Sequence, residues 1–171
     1  MNKKQTKSKQ RVQKFGEVNT SKREIDNILN LFEFESERID SRILEPACGD
    51  GNFLSEVLER KLLNLKKLYK NMQYEFEKNS VIVVGSIYGI EILEDNTQHT
   101  RNLLFKKYED FYNSLFKTPN KDLLESIKSI IQKNIIHGDA LSLVDLKTKK
   151  SIIFSEWSLI NNKIKRRDFT F

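Results

Sequence analysis

The stretch Arg42-Ile43-Leu44-Glu45-Pro46-Ala47-Cys48-Gly49-Asp50-Gly51-Asn52-Phe53-Leu54 decides the fold. Ile43 and Leu44 form a short apolar run, which is typical of a buried parallel strand. Pro46 has no N–H to donate to a neighbouring strand, so the strand is predicted to end there. Gly49 and Gly51 adopt positive φ at no steric cost and leave room for a ligand close to the backbone. The stretch therefore predicts a strand followed by a tight glycine loop.

A helix is predicted to begin directly after this loop, with Asn52 as its N-cap. A strand, a glycine loop and a helix N-terminus together form a common cradle for phosphate or carboxylate groups. The third glycine of a dinucleotide-binding fingerprint is absent after Gly51, and no P-loop lysine follows. Glu45, just before the loop, instead favours a ligand with a cationic group. The simpler alternative is a strand-turn-helix corner without a ligand.

The segment Glu45–Leu54 resembles the first motif of DNA adenine-N6 methyltransferases of restriction-modification systems, Asp/Glu-Pro-x-x-Gly-x-Gly-x-Phe. Three further segments match that family in its order. Phe15–Thr20 is similar to its upstream Gly-Glu-Val-Phe-Thr-Pro segment, Tyr88–Ile92 to its second-strand motif, and Ile136–Leu141 to its third-strand Gly-Asp-Ala/Ser motif. The resemblance covers residues 15 to 157.

The resemblance implies S-adenosylmethionine as the cofactor and a Rossmann-like α/β fold of class I methyltransferases, with a doubly wound, mostly parallel sheet that is only partly present. It implies that Glu91 binds the ribose, Asp139 the adenine amino group and Glu45 the amino end of the cofactor. The N–H groups around Gly49 and Gly51 are expected to meet its carboxylate. The implied cofactor-binding residues are Thr20, Glu45, Pro46, Ala47, Cys48, Gly49, Gly51, Glu91, Ile92, Asp139 and Ala140.

Three of these residues are acids at the predicted ends of three strands, namely Glu45, Glu91 and Asp139. A single acid at a strand end is more often a cap or half of a surface ion pair. Ligands of open parallel sheets, however, bind beyond the carboxyl ends of the strands. Three acids beside one glycine loop therefore favour a shared ligand site.

The catalytic residues are not identified by the sequence. Enzymes of the family hold the amino group of a flipped-out adenine with an Asn/Asp-Pro-Pro-Tyr/Phe motif after the fourth strand. The sequence contains only two prolines, Pro46 and Pro119, so it has no such motif. After the predicted fourth strand come Glu156, a candidate acceptor for an amino group, and Trp157, a candidate for stacking on a base. The alternative for Trp157 is a core position.

Composition limits the remaining classes of function. The 171 residues are 38% hydrophobic and 32% charged, without an apolar run of the about 20 residues that span a membrane. The basic N-terminus lacks the apolar segment of a secretory signal. A single cysteine forms no internal disulfide, and with two histidines it provides no metal-ligand cluster. We expect a cytoplasmic protein with no membrane contact and no metal.

The net charge of +6 is concentrated in two places. Residues 1–14 contain six cations and no acid, which predicts a disordered basic tail. The second cluster is Lys163, Lys165, Arg166 and Arg167. Such clusters bind the phosphates of nucleic acids, and the resemblance favours double-stranded DNA as the partner. The alternative is a pair of solvated segments without a partner.

Hydrophobic periodicity predicts alternating helices and strands, as in a parallel α/β sheet. Ser21 and Glu24 have the spacing of a capping box at the start of the first helix. The predicted helices are 21–34, 52–77, 95–115 and 121–132, and the predicted strands are 42–45, 81–90, 135–136 and 151–154.

Residues 15–171 are predicted to form one methyltransferase domain, incomplete at its C-terminus. We expect either a truncated reading frame or a short protein that works with a partner, such as a second methyltransferase or specificity chain. The leading function is site-specific DNA adenine-N6 methylation. One alternative is a catalytically incomplete subunit that binds the cofactor or DNA, and another is a methyltransferase acting on RNA or protein.

Overall fold

A mixed four-stranded sheet lies at the centre of the structure, a computed structural model that describes residues 20–161 and 163–170. The first three strands are parallel and the fourth is antiparallel to the third. In spatial order the strands are β1 (Ile43–Glu45), β2 (Ile87–Glu91), β3 (Ile135–Asp139) and β4 (Val144–Asp145). The predicted basic tail and the segment 15–19 lie outside the described residues.

The parallel register brings the carboxyl ends of β1, β2 and β3 to one edge of the sheet. Glu45 is paired with Gly89, and Glu91 with His137. The order of the described strands follows the chain in one direction and does not reverse. A doubly wound arrangement therefore stays a prediction.

Six helices occur in the described residues. Ser21 caps the first of them with the predicted capping box, since Glu24 N donates to Ser21 and the Glu24 carboxylate accepts from Ser21 N. No helix in the described part of the chain is long and apolar enough to cross a membrane. The helices are α1 (Lys22–Leu31), α2 (Glu33–Glu37), α3 (Asn52–Tyr69), α4 (Gln73–Gly85), α5 (Glu94–Leu115) and α6 (Lys121–Asn134).

The two faces of the sheet belong to two apolar clusters. Ile87 and Ile135 point into a large core formed with the helices. Tyr88, Ile90 and Ile136, which lie one or three residues further along their strands, point into a smaller cluster on the opposite face. This alternation follows from the two-residue period of a strand. The helical core holds the sheet in place, and its carboxyl edge stays open.

The prediction that the run Val81–Val84 begins the second strand is wrong. These residues form the last turns of α4, and β2 starts only at Ile87. Val81, Val83 and Val84 are buried in the helical core. Burial on a helix face outweighs the preference of β-branched residues for strands, which is a weak bias. The predicted long helix 52–77 is accordingly two helices, α3 and α4.

The prediction of a fourth strand at 151–154 is also wrong. The chain turns back along β3 as β4 through residues 140–143, where the Asp139 carboxylate accepts from Leu141 N and Ser142 Oγ. After β4 the Asp145 carboxylate caps a second tight turn by accepting from Lys147 N and Thr148 N. Phe154 instead begins an antiparallel hairpin of β5 (Phe154–Ile160) and β6 (Lys163–Phe169). This hairpin is paired with no strand of the central sheet among the described residues.

Trp157 anchors the hairpin beside the amino edge of the sheet. Its indole Nε1 donates to Asn134 Oδ1 at 3.0 Å, and Asn134 Nδ2 donates to the carbonyls of Gly85 and Ile87. The Trp157 side chain also packs so closely on Gly85 that a Cβ there would lie 2.8 Å from it. The hairpin is thus fixed to the ends of α4 and α6.

Candidate ligand-binding site

A cleft of about 460 Å³ lies at the carboxyl edge of β1, β2 and β3. It is lined by every residue of the predicted cofactor site except Gly51. The predicted residues that the structure brings together there are Thr20, Glu45, Pro46, Ala47, Cys48, Gly49, Glu91, Ile92, Asp139 and Ala140.

The loop after β1 has the predicted left-handed glycines. Gly49 has φ of 55° and Gly51 has φ of 82°. A Cβ at Gly49 would meet no atom within 4 Å, so the space above this residue is open. Gly51 itself is the N-cap of α3, and the prediction of Asn52 in that role is wrong. Asn52 is the first helical residue.

The N–H groups of this loop are used within the protein. Gly49 N donates to Glu91, Cys48 N donates to Ile90 O at 3.0 Å, and Gly51 N donates to Cys48 O at 2.9 Å. The N–H groups of Gly49 and Gly51 themselves are thus engaged within the protein, and the expectation that N–H groups around these glycines meet a ligand carboxylate stays a prediction. The loop serves a ligand through its open space and through the side chains around it.

Glu91 joins the loop to the end of β2. Its Oε2 accepts from Gly49 N at 2.8 Å, and its Oε1 accepts from Leu93 N at 2.9 Å. The side chain is buried, with 6% of its surface exposed. A carboxylate has about four acceptor positions, so two protein donors leave capacity for ligand hydroxyl groups.

Thr100 is a residue of the site that sequence reasoning missed. It is fully buried on α5, and its Oγ1 donates to Gly49 O at 3.1 Å. A Cβ at Gly51 would lie 2.7 Å from Thr100 Cγ2. The only signal for Thr100 in the sequence is its spacing of four residues from Leu104, which puts both on one face of a helix. This spacing does not indicate a contact with Gly51, 49 residues earlier in the chain.

The two outer acids of the cleft differ in their surroundings. Burial raises the pKa of Glu45, which accepts only a long bond of 3.4 Å from Ala47 N. Asp139 accepts from Ser142 Oγ at 2.7 Å and from Leu141 N at 2.9 Å, and these bonds lower its pKa. Asp139 is therefore a carboxylate at neutral pH, whereas Glu45 takes up a proton more readily.

Cys48 has a structural role in the cleft wall. The residue is 6% exposed, and burial, with the nearby charges of Glu91 and Glu45, raises the pKa of its thiol to about 12. The thiolate is the nucleophilic form of cysteine, and it is scarce at neutral pH when the pKa is this high. The thiol also packs closely over Gly89.

Apolar side chains form one wall of the cleft. Ile92 is 47% exposed and follows Glu91 directly, as expected for a residue that packs on a flat ring. Ile25 and Ile28 of α1 and Phe53 of α3 complete this wall. Their periodicity predicts only amphipathic helices, so sequence reasoning did not assign them to the site.

Glu156 and Trp157, the candidate catalytic residues, do not line the cleft. Glu156 forms an ion pair with Arg42, which precedes β1, while the cleft lies beyond the other end of that strand. Trp157 is held by Asn134, which precedes β3. Both candidates lie towards the amino edge of the sheet, so neither is placed to act on a ligand in the cleft.

Comparisons with known proteins identify no relative. No family model matches the chain, and no curated protein or solved structure is significantly similar to it. Among residues 20–161 and 163–170, no group of His, Cys, Asp and Glu side chains is arranged to hold a metal ion. The function of the cleft is therefore interpreted from its own geometry.

Alanine substitutions at the two loop glycines separate backbone strain from steric contact. We expect Gly49→Ala to cost about 1 kcal/mol of unfolding free energy, because only its positive φ is unfavourable. Gly51→Ala is expected to cost about 3 kcal/mol, since its Cβ also collides with Thr100. Urea unfolding followed by the fluorescence of the single tryptophan measures both values. Equal losses would contradict the role of Thr100 as a support of the loop.

Proposed function

We propose that this chain binds S-adenosylmethionine in the cleft and belongs to a DNA adenine-N6 methyltransferase of a restriction-modification system. The observation that carries the proposal is the meeting of three acids, Glu45, Glu91 and Asp139, around one open glycine loop. A Rossmann-like fold of class I methyltransferases and a cytoplasmic location are parts of the same proposal. The proposal also includes double-stranded DNA as the substrate.

The cleft fits this cofactor in size and in chemistry. Its volume of about 460 Å³ lies within the range of small-molecule sites. S-adenosylmethionine carries an ammonium group, a ribose diol, an adenine and a carboxylate. The open space above Gly49 admits a ligand to the backbone, and the apolar wall with Ile92 suits a flat aromatic ring.

Each acid has a distinct role in this proposal. Glu91 accepts hydrogen bonds from the ribose hydroxyls with its spare acceptor positions, as acids at strand ends do in nucleotide folds. Asp139 accepts from the adenine amino group, and Glu45 faces the ammonium group. Thr20, at the mouth of the cleft, donates its hydroxyl to the cofactor carboxylate. These residues hold and orient the cofactor, which supplies an electrophilic methyl group.

A second candidate function is a catalytically incomplete subunit that binds the cofactor or DNA and needs a partner chain. Two observations favour it. The sequence has no Asn-Pro-Pro-Tyr segment, and Glu156 and Trp157 lie away from the cleft. In this case another chain supplies the groups that hold the target amino group.

Calorimetry with S-adenosylmethionine tests the cofactor site. We expect Glu91→Ala to weaken binding at least about tenfold. The substitution removes a hydrogen-bond acceptor for the ligand, and it removes the bond that holds Gly49 N of the loop. Glu125→Ala, at an exposed acid of α6, is the matched control and should bind as the wild type does. Equal heats for the wild type and Glu91→Ala would remove the ribose assignment.

The pH dependence of cofactor affinity tests the role of Glu45. Burial raises the pKa of this carboxyl group, so its charge is lost at a higher pH than that of an exposed glutamate. Affinity for the ammonium group should therefore fall as the pH is lowered from neutrality through the raised pKa of this carboxyl group. Glu45→Gln should bind more weakly at the upper pH and show a flatter profile. Parallel profiles for both proteins would contradict the role of Glu45.

Transfer of tritiated methyl groups to unmethylated plasmid DNA distinguishes the two candidate functions. A complete enzyme labels the DNA without any added protein. The Glu91→Ala variant then labels it more slowly, because less cofactor is bound. An incomplete subunit gives label only after the product of a neighbouring gene is added. Cofactor binding without label in either mixture would contradict DNA methylation and leave a binding protein.

A further inference from the structure

A polar groove of about 810 Å³ runs beside the cleft, between α5 and α6 on one side and the β4 turn and the hairpin on the other. It begins at Glu94 and His137, which lie next to the cleft residues Leu93 and Gly138 along the chain. His137 Nε2 lies 3.1 Å from the carbonyl oxygen of Ile92. This contact separates the groove from the cleft, so the two spaces are neighbours.

Cations line both sides of this groove. Lys133 is in the last turn of α6, and Lys147 and Lys150 lie opposite it on the turn after β4. All three side chains belong to exposed residues and form no ion pair with a described residue. Arg101 lies between them, with its Nε and Nη2 donating to Ile135 O. The groove therefore carries cationic groups on opposite walls.

Two of the three acids of the groove already have hydrogen-bond or ion-pair partners, and one of these partners, Arg166, is itself a groove cation. The Asp145 carboxylate caps its own turn, and Asp168 accepts from Ser155 Oγ and pairs with Arg166 at 2.6 Å. Glu94 is the third acid and lies at the end next to the cleft. Five cations against three acids leave the groove with a net positive charge. Lys133, Lys147 and Lys150 are the lysines of the groove, and none of them forms an ion pair with a described residue.

The turn that carries Lys147 and Lys150 is held firmly. Asp145 N donates to Lys150 O and Lys149 N donates to Asp145 O, both at 2.8 Å. The backbone of the turn is thus fixed before any ligand binds. A preformed site loses less conformational entropy on binding than one that must be ordered.

We propose that this groove holds a strand of the DNA substrate beside the cleft, with its phosphates on Lys133, Lys147 and Lys150. The proposal deepens the proposed function and rests on it for the choice of DNA. A phosphate backbone is an extended polyanion, which matches cations on two facing walls. A flat lipid surface would not enter a concave groove.

Fluorescence anisotropy with labelled DNA tests this assignment. Lys133, Lys147 and Lys150 are changed together to Gln, and the probes are a short duplex and its single strand, without cofactor. Each phosphate contact contributes about 0.9 to the slope of log affinity against log salt for duplex DNA. The triple variant should therefore lose about 2.7 of this slope. Between about 50 and 200 mM salt, the wild type should lose about 40-fold more affinity than the variant.

Two further variants remove the same charge elsewhere. Changing Lys70, Lys117 and Lys121 to Gln removes exposed cations near the start of α4, about 18 Å along that helix from Gly85 and the hairpin. This control should bind DNA as the wild type does. Changing Lys163, Lys165 and Arg167 to Gln removes the cations that alternate with Arg166 on β6 and so face away from the groove.

The results separate the possibilities. The groove variant is the triple change of Lys133, Lys147 and Lys150 to Gln, and the β6 variant is the triple change of Lys163, Lys165 and Arg167. A loss of DNA affinity and of salt dependence in the groove variant alone supports the proposal. An unchanged groove variant, a wild type that binds no DNA, or a loss only in the β6 variant overturns it. A groove variant that loses binding to vesicles containing phosphatidylserine but not to DNA also overturns it. Calorimetry with S-adenosylmethionine on the same proteins checks folding, and it shows separately whether the proposed cofactor function holds.

Discussion

The carboxylate of Glu91 is the interaction on which the candidate site depends. It accepts from Gly49 N on the loop after β1 and from Leu93 N at the start of the segment that leads into α5. Because the side chain is buried, these two hydrogen bonds replace contacts that its oxygens would otherwise make with water. One carboxylate thus fixes the glycine loop, the end of β2 and the approach to the next helix in one arrangement.

This arrangement decides how a ligand is recognised. The N–H groups of Cys48, Gly49 and Gly51 are already bound inside the protein, so these three donors are not available to a phosphate group. In the proposed cofactor site, recognition falls to the acceptors Glu45, Glu91 and Asp139 and to the apolar wall with Ile92, all of which line the cleft. A site rich in acceptors suits hydroxyl, amino and ammonium groups rather than phosphates. This chemistry separates the cleft from a nucleotide-phosphate site.

Local signals were sufficient for much of this site. The capping box of Ser21, the positive φ of Gly49 and Gly51 and the acids at strand ends follow from chemistry within a few residues. The assignments that depend on distant contacts were wrong or missed. Val81–Val84 is helical because its side chains enter the helical core, and Thr100 reaches the loop only through the packing of α5. Trp157 is held by Asn134, a contact that no local pattern predicts.

The position of the groove follows from the same strand ends as the cleft. Glu91 and His137 are partners in the parallel register of β2 and β3, and the contact of His137 with Ile92 O closes the space between the two strands. The cleft opens on the β1 side of this contact, and the groove opens on the β4 side. The turn after the antiparallel β4 brings Lys147 and Lys150 to the groove. The departure from the predicted parallel fourth strand therefore places cations beside the acidic cleft.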